Sequence, residues 1–457
     1  MSALNIVTVK PEQAVYTLVV GLGKTGLSVV RYLRALGEAV VVVDSRDIPP
    51  GLNVLKSQYG DVECHSGKFD PLWFIYARRI VVSPGVALTE PALVAARKNN
   101  IEITGDIDLF THEAMAPVVG ITGSNGKSTV TTLLTLMASK AGINAVASGN
   151  IGTPVLDSLD EDIGLYVLEL SSFQLETLHY LPMKAAVVLN ISADHLDRYE
   201  SISAYAASKQ AIYANAETMV INKDDELASK LVVAEKNTIG FTLGEPEENE
   251  FGLCQDENQI VNLCYGKQVL IAADQLQLKG SHNLQNALAA LAMGHAIGLP
   301  FANMIQALKE FSGLRHRTQF VAEINGVNWI NDSKATNVGA TVAALVGLPG
   351  KHVLIAGGEA KDADFSELGE VVQQHCRAVV LMGKDVEKIS AVMPESVTVK
   401  VVSDMRSAVS VAQSLAEPGD NVLLAPACAS FDMFDNFEHR GDVFIASVEK
   451  LQSEVIS

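Results

Sequence analysis

Seven consecutive residues, Gly123-Ser-Asn-Gly-Lys-Ser-Thr129, combine a glycine turn, an amine and hydroxyls. That set suits a chain of phosphates. Backbone N–H groups at a helix start point at the anion, and the helix dipole favours its charge. Lys127 can bridge phosphate oxygens, Ser128 can ligate Mg2+, and Ser124, Asn125, Gly126 and Thr129 complete the cradle. The usual spacing wants a glycine six residues before the lysine; Ile121 stands there, and the glycine falls one earlier, at Gly120. Candidate metal-holding groups follow. Glu169 lies near the end of the apolar run 165–170, and a carboxylate beside phosphates can hold Mg2+. His195 lies between Asp194 and Asp197, soon after the apolar run 185–189. Lys209 shares a helical face with Tyr205, Ile212 and Tyr213. An ammonium on an apolar stripe is unfavourable unless paired or neutralised. A salt bridge or a snorkelling side chain would resolve this. So would addition of CO2 to the neutral amine, because the resulting carbamate is a carboxylate that suits Mg2+.

The elements that must position these groups read as alternating strands and helices. Residues 117–121 form an apolar run of strand type. Residues 128–140 place Val130, Leu133, Leu134 and Met137 at helical spacing before Gly142. The first third repeats this grammar: strand 15–20, then Gly21-Leu-Gly-Lys-Thr-Gly26, helix 27–36, and strand 39–43 ending in Asp44. This is the fingerprint of a dinucleotide-binding βαβ unit. It implies phosphate and ribose without choosing among NAD, FAD and a sugar nucleotide. Gly21, Gly23, Lys24, Thr25 and Gly26 would meet the phosphates, and Asp44, Ser45 and Arg46 could grip a base or ribose. Ser83-Pro84-Gly85, after another apolar run, could meet a diphosphate or simply turn the chain. Residues 224–276 are polar and broken by turns, which predicts a peripheral antiparallel insertion. An alanine-rich helix then begins near Asn283 and Asn286, one turn apart, which could contact a base or cap the helix. Residues 311–318 read as a cation-rich linker. The last third alternates β and α units again, with Lys334 and Lys361 at strand ends where a carboxylate could be received. Cys428 has no adjacent histidine and reads as packing.

Composition excludes some classes. The 457 residues carry a formal charge of −19, so nucleic acid is not the expected partner. Five cysteines, odd in number and without a CxxC, read as reduced thiols. The start shows no secretory signal, and the longest stretch without formal charge, 280–308, contains Asn283, Asn286, His295 and Pro300, unlike a membrane span. A cytoplasmic protein without membrane insertion is expected.

With these residues in view, nearly the whole chain from Val19 onward resembles the Mur ligases of bacterial cell-wall synthesis. The most specific stretches are the cradle itself, Leu168-Glu-Leu-Ser-Ser-Phe-Gln174, Asp194-His-Leu-Asp-Arg-Tyr199, Asn331-Asp-Ser-Lys-Ala-Thr-Asn337 and Pro426-Ala-Cys-Ala-Ser430. The resemblance implies a three-domain α/β fold: a Rossmann-like domain at 1–105 for a UDP substrate, a P-loop ATPase at 106–313 with a parallel sheet plus a small antiparallel one, and a Rossmann-like amino-acid domain at 314–457. It implies an ATP-dependent ligase of peptidoglycan synthesis that adds D-glutamate to UDP-N-acetylmuramoyl-L-alanine through an acyl phosphate, acting as a monomer. By that likeness two Mg2+ ions are held by Ser128, Glu169, His195 and a carbamylated Lys209. Asn283, Asn286, His316, Arg317 and Asp332 surround the ATP adenosine. Asn150, Ser171 and Gln174 join the UDP-substrate site, and Lys334, Thr336, Lys361, Ser430 and Phe437 receive D-glutamate. One departure is Ala360, where the likeness leads us to expect a small, flexible residue such as glycine. A sibling ligase for another amino acid, a folylpolyglutamate synthase-like enzyme, a non-catalytic nucleotide sensor and a nicotinamide oxidoreductase are the competing expectations.

Overall fold

The computed structural model describes residues 16–194, 198–233, 235–278, 280–360 and 363–456. His195 and Lys361, both singled out above, lie outside the described residues.

Three sheets follow one another along the chain. The first runs, edge to edge, Glu63–Ser66, Val40–Asp44, Thr17–Val20, Arg79–Val82 and Glu102–Thr104, all parallel. Its strand order reverses between Thr17–Val20 and Arg79–Val82, and ligands of open α/β sheets bind where the order reverses. Helix Lys24–Ala35 buries Val29, Val30 and Leu33 against this sheet.

The second sheet has nine strands. Its parallel part runs Asn237–Phe241, Ala216–Asn222, Met183–Val188, Val118–Thr122, Leu165–Glu169 and Ala145–Gly149. Alternation along strand Val118–Thr122 divides the core. Val119 and Ile121 face helices Lys127–Lys140 and Ser281–Ala296, while Gly120 faces the opposite layer. The alanines at 287, 289, 290 and 292 let the second helix approach closely, and all are buried. On the other face helix Ile202–Gln210 and the 3-10 turn Ala211–Tyr213 bury Tyr205, Lys209, Ile212 and Tyr213 together, as their spacing predicts.

The insertion departs from expectation in one respect. Strands Phe251–Gln255, Val261–Tyr265 and Gln268–Ala272 are antiparallel to one another, but they form no separate sheet. They extend the central sheet through Phe241 and Phe251. The turn residues that break this region made it look detached. A second correction concerns its cysteines. Cys254 and Cys264, on adjacent strands of the first hairpin, are bridged, whereas the odd count and spacing predict five thiols. Cys64, Cys376 and Cys428 are free.

The third sheet runs Gln319–Ile324, Val327–Asn331, Asn421–Leu424, His352–Ala356, Cys376–Leu381 and Thr398–Val401, parallel except for its first hairpin. Buried Cys428 packs in its core, and burial pushes its thiol up to about 12, consistent with a packing role. No helix among the described residues is long and apolar enough to cross a membrane.

Candidate active site

The cradle forms as its residues predict, between strand Val118–Thr122 and helix Lys127–Lys140. Gly126 has φ +83°, which favours glycine, and a Cβ there would crowd Asn286 Oδ1 at 2.3 Å. Gly120 has another role: a Cβ there would meet Met183 Sδ at 2.4 Å, so it makes room for packing beneath the cradle. Asn190 braces the loop. Its Oδ1 accepts from Asn125 N at 2.8 Å, its Nδ2 donates to Asn125 O at 3.1 Å, and its carbonyl accepts from Ser124 N at 2.9 Å. Ser124 Oγ also donates to the Ser192 carbonyl at 3.1 Å. No motif in the sequence signalled Asn190 as this brace.

Lys127 Nζ donates back to Gly123 O at 2.7 Å and Ser124 O at 2.8 Å. Burial holds its pKa below the ordinary lysine value, and Glu169 and Asp194 oppose that shift. Arg317 Nη2 donates to Ser128 Oγ at 2.7 Å. This places the guanidinium at the helix start, beside the cradle. The third-sheet unit thus delivers a cation to the phosphate end of the site.

Strand Leu165–Glu169 pairs in parallel with the cradle strand, Ile121 opposite Glu169. Glu169 Oε1 accepts from Asn150 Nδ2 at 2.9 Å, and among the described residues buried Oε2 has no hydrogen-bond partner. Lys209 Nζ reaches Thr122 Oγ1 at 3.4 Å and lies 4.5 Å from the centroid of the Tyr205 ring. Among the described residues no carboxylate forms an ion pair with it. Burial, reinforced by the Lys127 cation, pushes its pKa well below the ordinary value, which favours the neutral amine. The salt-bridge resolution is therefore absent among the described residues.

Two separate cavities are lined by neighbours of these residues. One, of about 270 Å³, is lined by Asn125, Gly126 and Thr129 of the cradle, Asn283 and Asn286 of the alanine-rich helix, and Arg317, Asp332 and Lys334 of the third-sheet unit. Helix Ser281–Ala296 takes Gly280 as its N-cap with no side-chain cap bond, so Asn283 and Asn286 are not its caps. Burial pushes Asp332 up to about 6, opposed by Arg317. His316 has φ +62° and accepts at Nδ1 from Asn331 Nδ2 at 3.0 Å; it is buried behind the cavity and is absent from its lining.

The other cavity, of about 420 Å³, is lined by Gly21, Gly23, Lys24, Thr25, Asp44, Ser45, Arg46, Ser83, Pro84 and Gly85, together with Gly149, Asn150 and Gln174 of the second-sheet unit. A Cβ on Gly26 would lie 1.9 Å from Gly21 O, and one on Gly21 would lie 2.9 Å from Ser83 Oγ. These contacts explain the glycine spacing. Asp44 is committed internally: it accepts from Leu22 N at 2.7 Å and from Arg46 Nη2 at 2.6 Å. Its hydrogen bonds, chiefly from Arg46, hold it below the usual carboxylate range although burial opposes them. Ser171 caps helix Ser172–Glu176 in a reciprocal capping box with Gln174.

At the wall of the first cavity, Lys334 Nζ lies 3.9 Å from the centroid of the Phe437 ring. Burial, with help from Arg317, lowers its amine to about 8. Buried Arg440 donates to the Ser333 carbonyl at 2.8 Å and to the Cys428 carbonyl at 3.1 Å, tying the Lys334–Thr336 loop to the loop that ends in buried Ser430. No motif signalled Arg440. Ala360 N donates to Asp385 Oδ2 at 2.8 Å in the turn before Lys361.

A dinucleotide-type sheet, a phosphate cradle on a second sheet and a third α/β unit closing over that cradle define the class: the chain belongs to the Mur ligase family. Residues 15–105 match the N-terminal domain of MurD-like Mur ligases, 121–294 the Mur ligase middle domain, and 316–428 the glutamate ligase domain of Mur ligases. The chain is 51% identical over 447 residues to UDP-N-acetylmuramoylalanine–D-glutamate ligase of Nitrosococcus oceani, covering 97% of this chain and 98% of that relative. It is 49% identical over 440 residues to the ligase of the same name from Pseudomonas aeruginosa, covering 95% and 98%. Among solved structures, a pseudomurein peptide ligase type C from Methanothermus fervidus matches with a TM-score of 0.61 at 20% identity, covering 95% of this chain and all (100%) of that one. The UDP-N-acetylmuramate-alanine ligase of Thermotoga maritima matches with a TM-score of 0.60 at 18% identity, covering 96% and 99%. At such identities the two structures share the fold.

Proposed function

We propose that this chain is an ATP-dependent ligase that joins the amine of D-glutamate to the alanyl carboxylate of UDP-N-acetylmuramoyl-L-alanine in peptidoglycan precursor synthesis. The supporting names are those of relatives about half identical over nearly the full length. The observation that carries the reading is the bond between Asn150 and Glu169. Asn150 lines the sugar-nucleotide cavity, and Glu169 stands beside the phosphate cradle. A substrate anchored by its diphosphate at Gly21–Gly26 therefore extends toward the terminal phosphate of ATP.

In this reading a carboxylate, a poor electrophile, takes the γ-phosphoryl group and becomes an acyl phosphate. The D-glutamate amine then attacks, and phosphate leaves. Lys127 moves from the Gly123 and Ser124 carbonyls onto the phosphates and offsets charge in transfer, aided by Arg317. Asn283, Asn286 and Asp332 hold the adenosine. Lys334, Thr336, Ser430, Phe437 and Lys361 orient D-glutamate, with Arg440 fixing the loops that carry them. The third-sheet unit closes over the cavity and excludes water that would hydrolyse the acyl phosphate.

The donor set fits magnesium: the Ser128 hydroxyl, the unpartnered oxygen of Glu169 and a carbamate on neutral, buried Lys209 are hard oxygen ligands. His195 completes the proposed set. Bound magnesium would neutralise phosphate charge. We place the domains at 1–105, 106–313 and 314–457, and the enzyme as a cytoplasmic monomer.

The test is phosphate release with UDP-N-acetylmuramoyl-L-alanine, ATP and magnesium across a panel of D- and L-amino acids. D-Glutamate alone should support full turnover. Equal turnover with L-alanine or a diamino acid would assign the chain to a different reaction.

A further inference from the structure

His282, at the ATP cavity, has no role above. His282 stands in the first turn of helix Ser281–Ala296, directly before Asn283, and lines the cavity. Its ring lies in a slot between two glycines of different units. A Cβ on Gly347 would fall 2.7 Å from His282 Nδ1, and one on Gly280 would fall 2.9 Å from His282 Cε1. Gly280 has φ +96° and needs glycine for its backbone as well. Gly347 does not: it is the last residue of helix Val338–Gly347, so its missing side chain serves the slot. Thr318 Oγ1 lies 3.4 Å from His282 Nε2 and 3.3 Å from Asp332 Oδ2.

The other end of the same helix is also fastened to the second-sheet unit. Asn337 Nδ2 donates to Asp194 Oδ2 at 3.1 Å, and a Cβ on Gly339 would lie 3.0 Å from Ser192 Oγ. Ten residues make a rod about 15 Å long, gripped at both ends across the cavity mouth. Ala340 and Ala343, on the rod between the two grips, line the cavity.

We propose that His282 is a positioning residue, an interdomain pin whose insertion beside Gly347 seats helix Val338–Gly347 over the ATP cavity and preorganises it for nucleotide. This rests on the ATP-site reading above and goes beyond it. A pin set before nucleotide arrives contributes equally to ground and transition states, so its loss raises KM for ATP more than it lowers kcat.

The experiment compares wild type, His282→Ala, Gly347→Ala and the double variant by direct ATP binding and by steady-state kinetics. Alanine suits a helix end, so Gly347→Ala should fold, and unfolding midpoints check this. Each single variant should weaken ATP binding about tenfold, and the double variant should be no weaker than His282→Ala alone, because the clash disappears with the ring. His282→Gln, which keeps a long side chain in the slot beside Gly347, should recover part of the loss. Additive effects of the two substitutions, or His282→Ala binding ATP as wild type does, would overturn the pin. If wild type binds ATP but forms no amide with D-glutamate, the proposed reaction fails while the pin is still judged by ATP affinity.

Discussion

At the residue scale, Glu169 is held by one oxygen and, among the described residues, left open at the other. A buried carboxylate without a second partner is costly unless a cation arrives. Glu169→Gln keeps the shape and the bond from Asn150 in one amide orientation but removes the charge. It should cut magnesium-dependent phosphate release about a hundredfold or more, while UDP-substrate binding stays near wild type by calorimetry. Lys209 carries a parallel expectation. Carbon-13-labelled bicarbonate should give a carbamate resonance in the wild type that Lys209→Ala lacks, and that variant should be nearly inactive. A second pair of residues sets opposing pH effects. Burial pushes Asp332 up to about 6 and His282 down to about 4. Between about 4 and 6 the folded state binds more proton at Asp332 than the unfolded chain does, so this group lowers stability as pH rises. At His282 the unfolded chain binds more proton between about 4 and 6.5, so this group raises stability over that window. Urea unfolding across this range should show a steeper rise with pH in Asp332→Asn than in wild type, and a shallower one in His282→Gln.

At the scale of elements, strand Val118–Thr122 carries most of what could be read in advance and one thing that could not. Its apolar run, the following glycines and the helical spacing of Val130, Leu133, Leu134 and Met137 are local signals, and all four side chains are buried. Gly120 looked like a displaced cradle glycine because its spacing nearly fits. Its reason is tertiary, the sulfur of Met183 on a neighbouring strand, and spacing along one segment cannot show that. Gly120→Ala should therefore destabilise the fold by about 1–3 kcal/mol and leave ATP affinity in the folded protein unchanged; Met183→Ala in the same chain should restore part of the loss. The Asn190 brace, the Asn150–Glu169 bond and the His282 slot went unread for the same reason. Each joins segments distant in sequence. The positions of Asp44 and Arg46 were legible as a site, but their mutual pairing was not, because nothing in Asp-Ser-Arg says whether the arginine turns inward or toward a ligand. The edge strands 251–272 were legible as antiparallel and illegible as part of the central sheet, since a single residue pair makes that junction.

At the scale of the whole molecule, each cavity is built by two units, and neither would be complete alone. Gly149, Asn150 and Gln174 finish the cavity at Gly21–Gly26, while Arg317, Asp332 and helix Val338–Gly347 finish the one at the cradle. Ligands that bridge units must couple their positions, because binding free energy then favours only arrangements in which both walls are in place. ATP with magnesium should slow amide hydrogen exchange in residues 281–286 and, across the cavity, in 337–347. UDP-N-acetylmuramoyl-L-alanine alone should protect 21–26, 83–86 and 149–150 and leave 337–347 near its free rate. With ATP at about a hundred times its dissociation constant, the native state gains about 2.7 kcal/mol, so the unfolding midpoint should rise measurably. In a chain carrying Gly347→Ala the protection at 281–286 should fall together with that at 337–347. Protection of the cradle by ATP without any change in helix Val338–Gly347 would mean that the third-sheet unit binds its amino acid independently of the nucleotide.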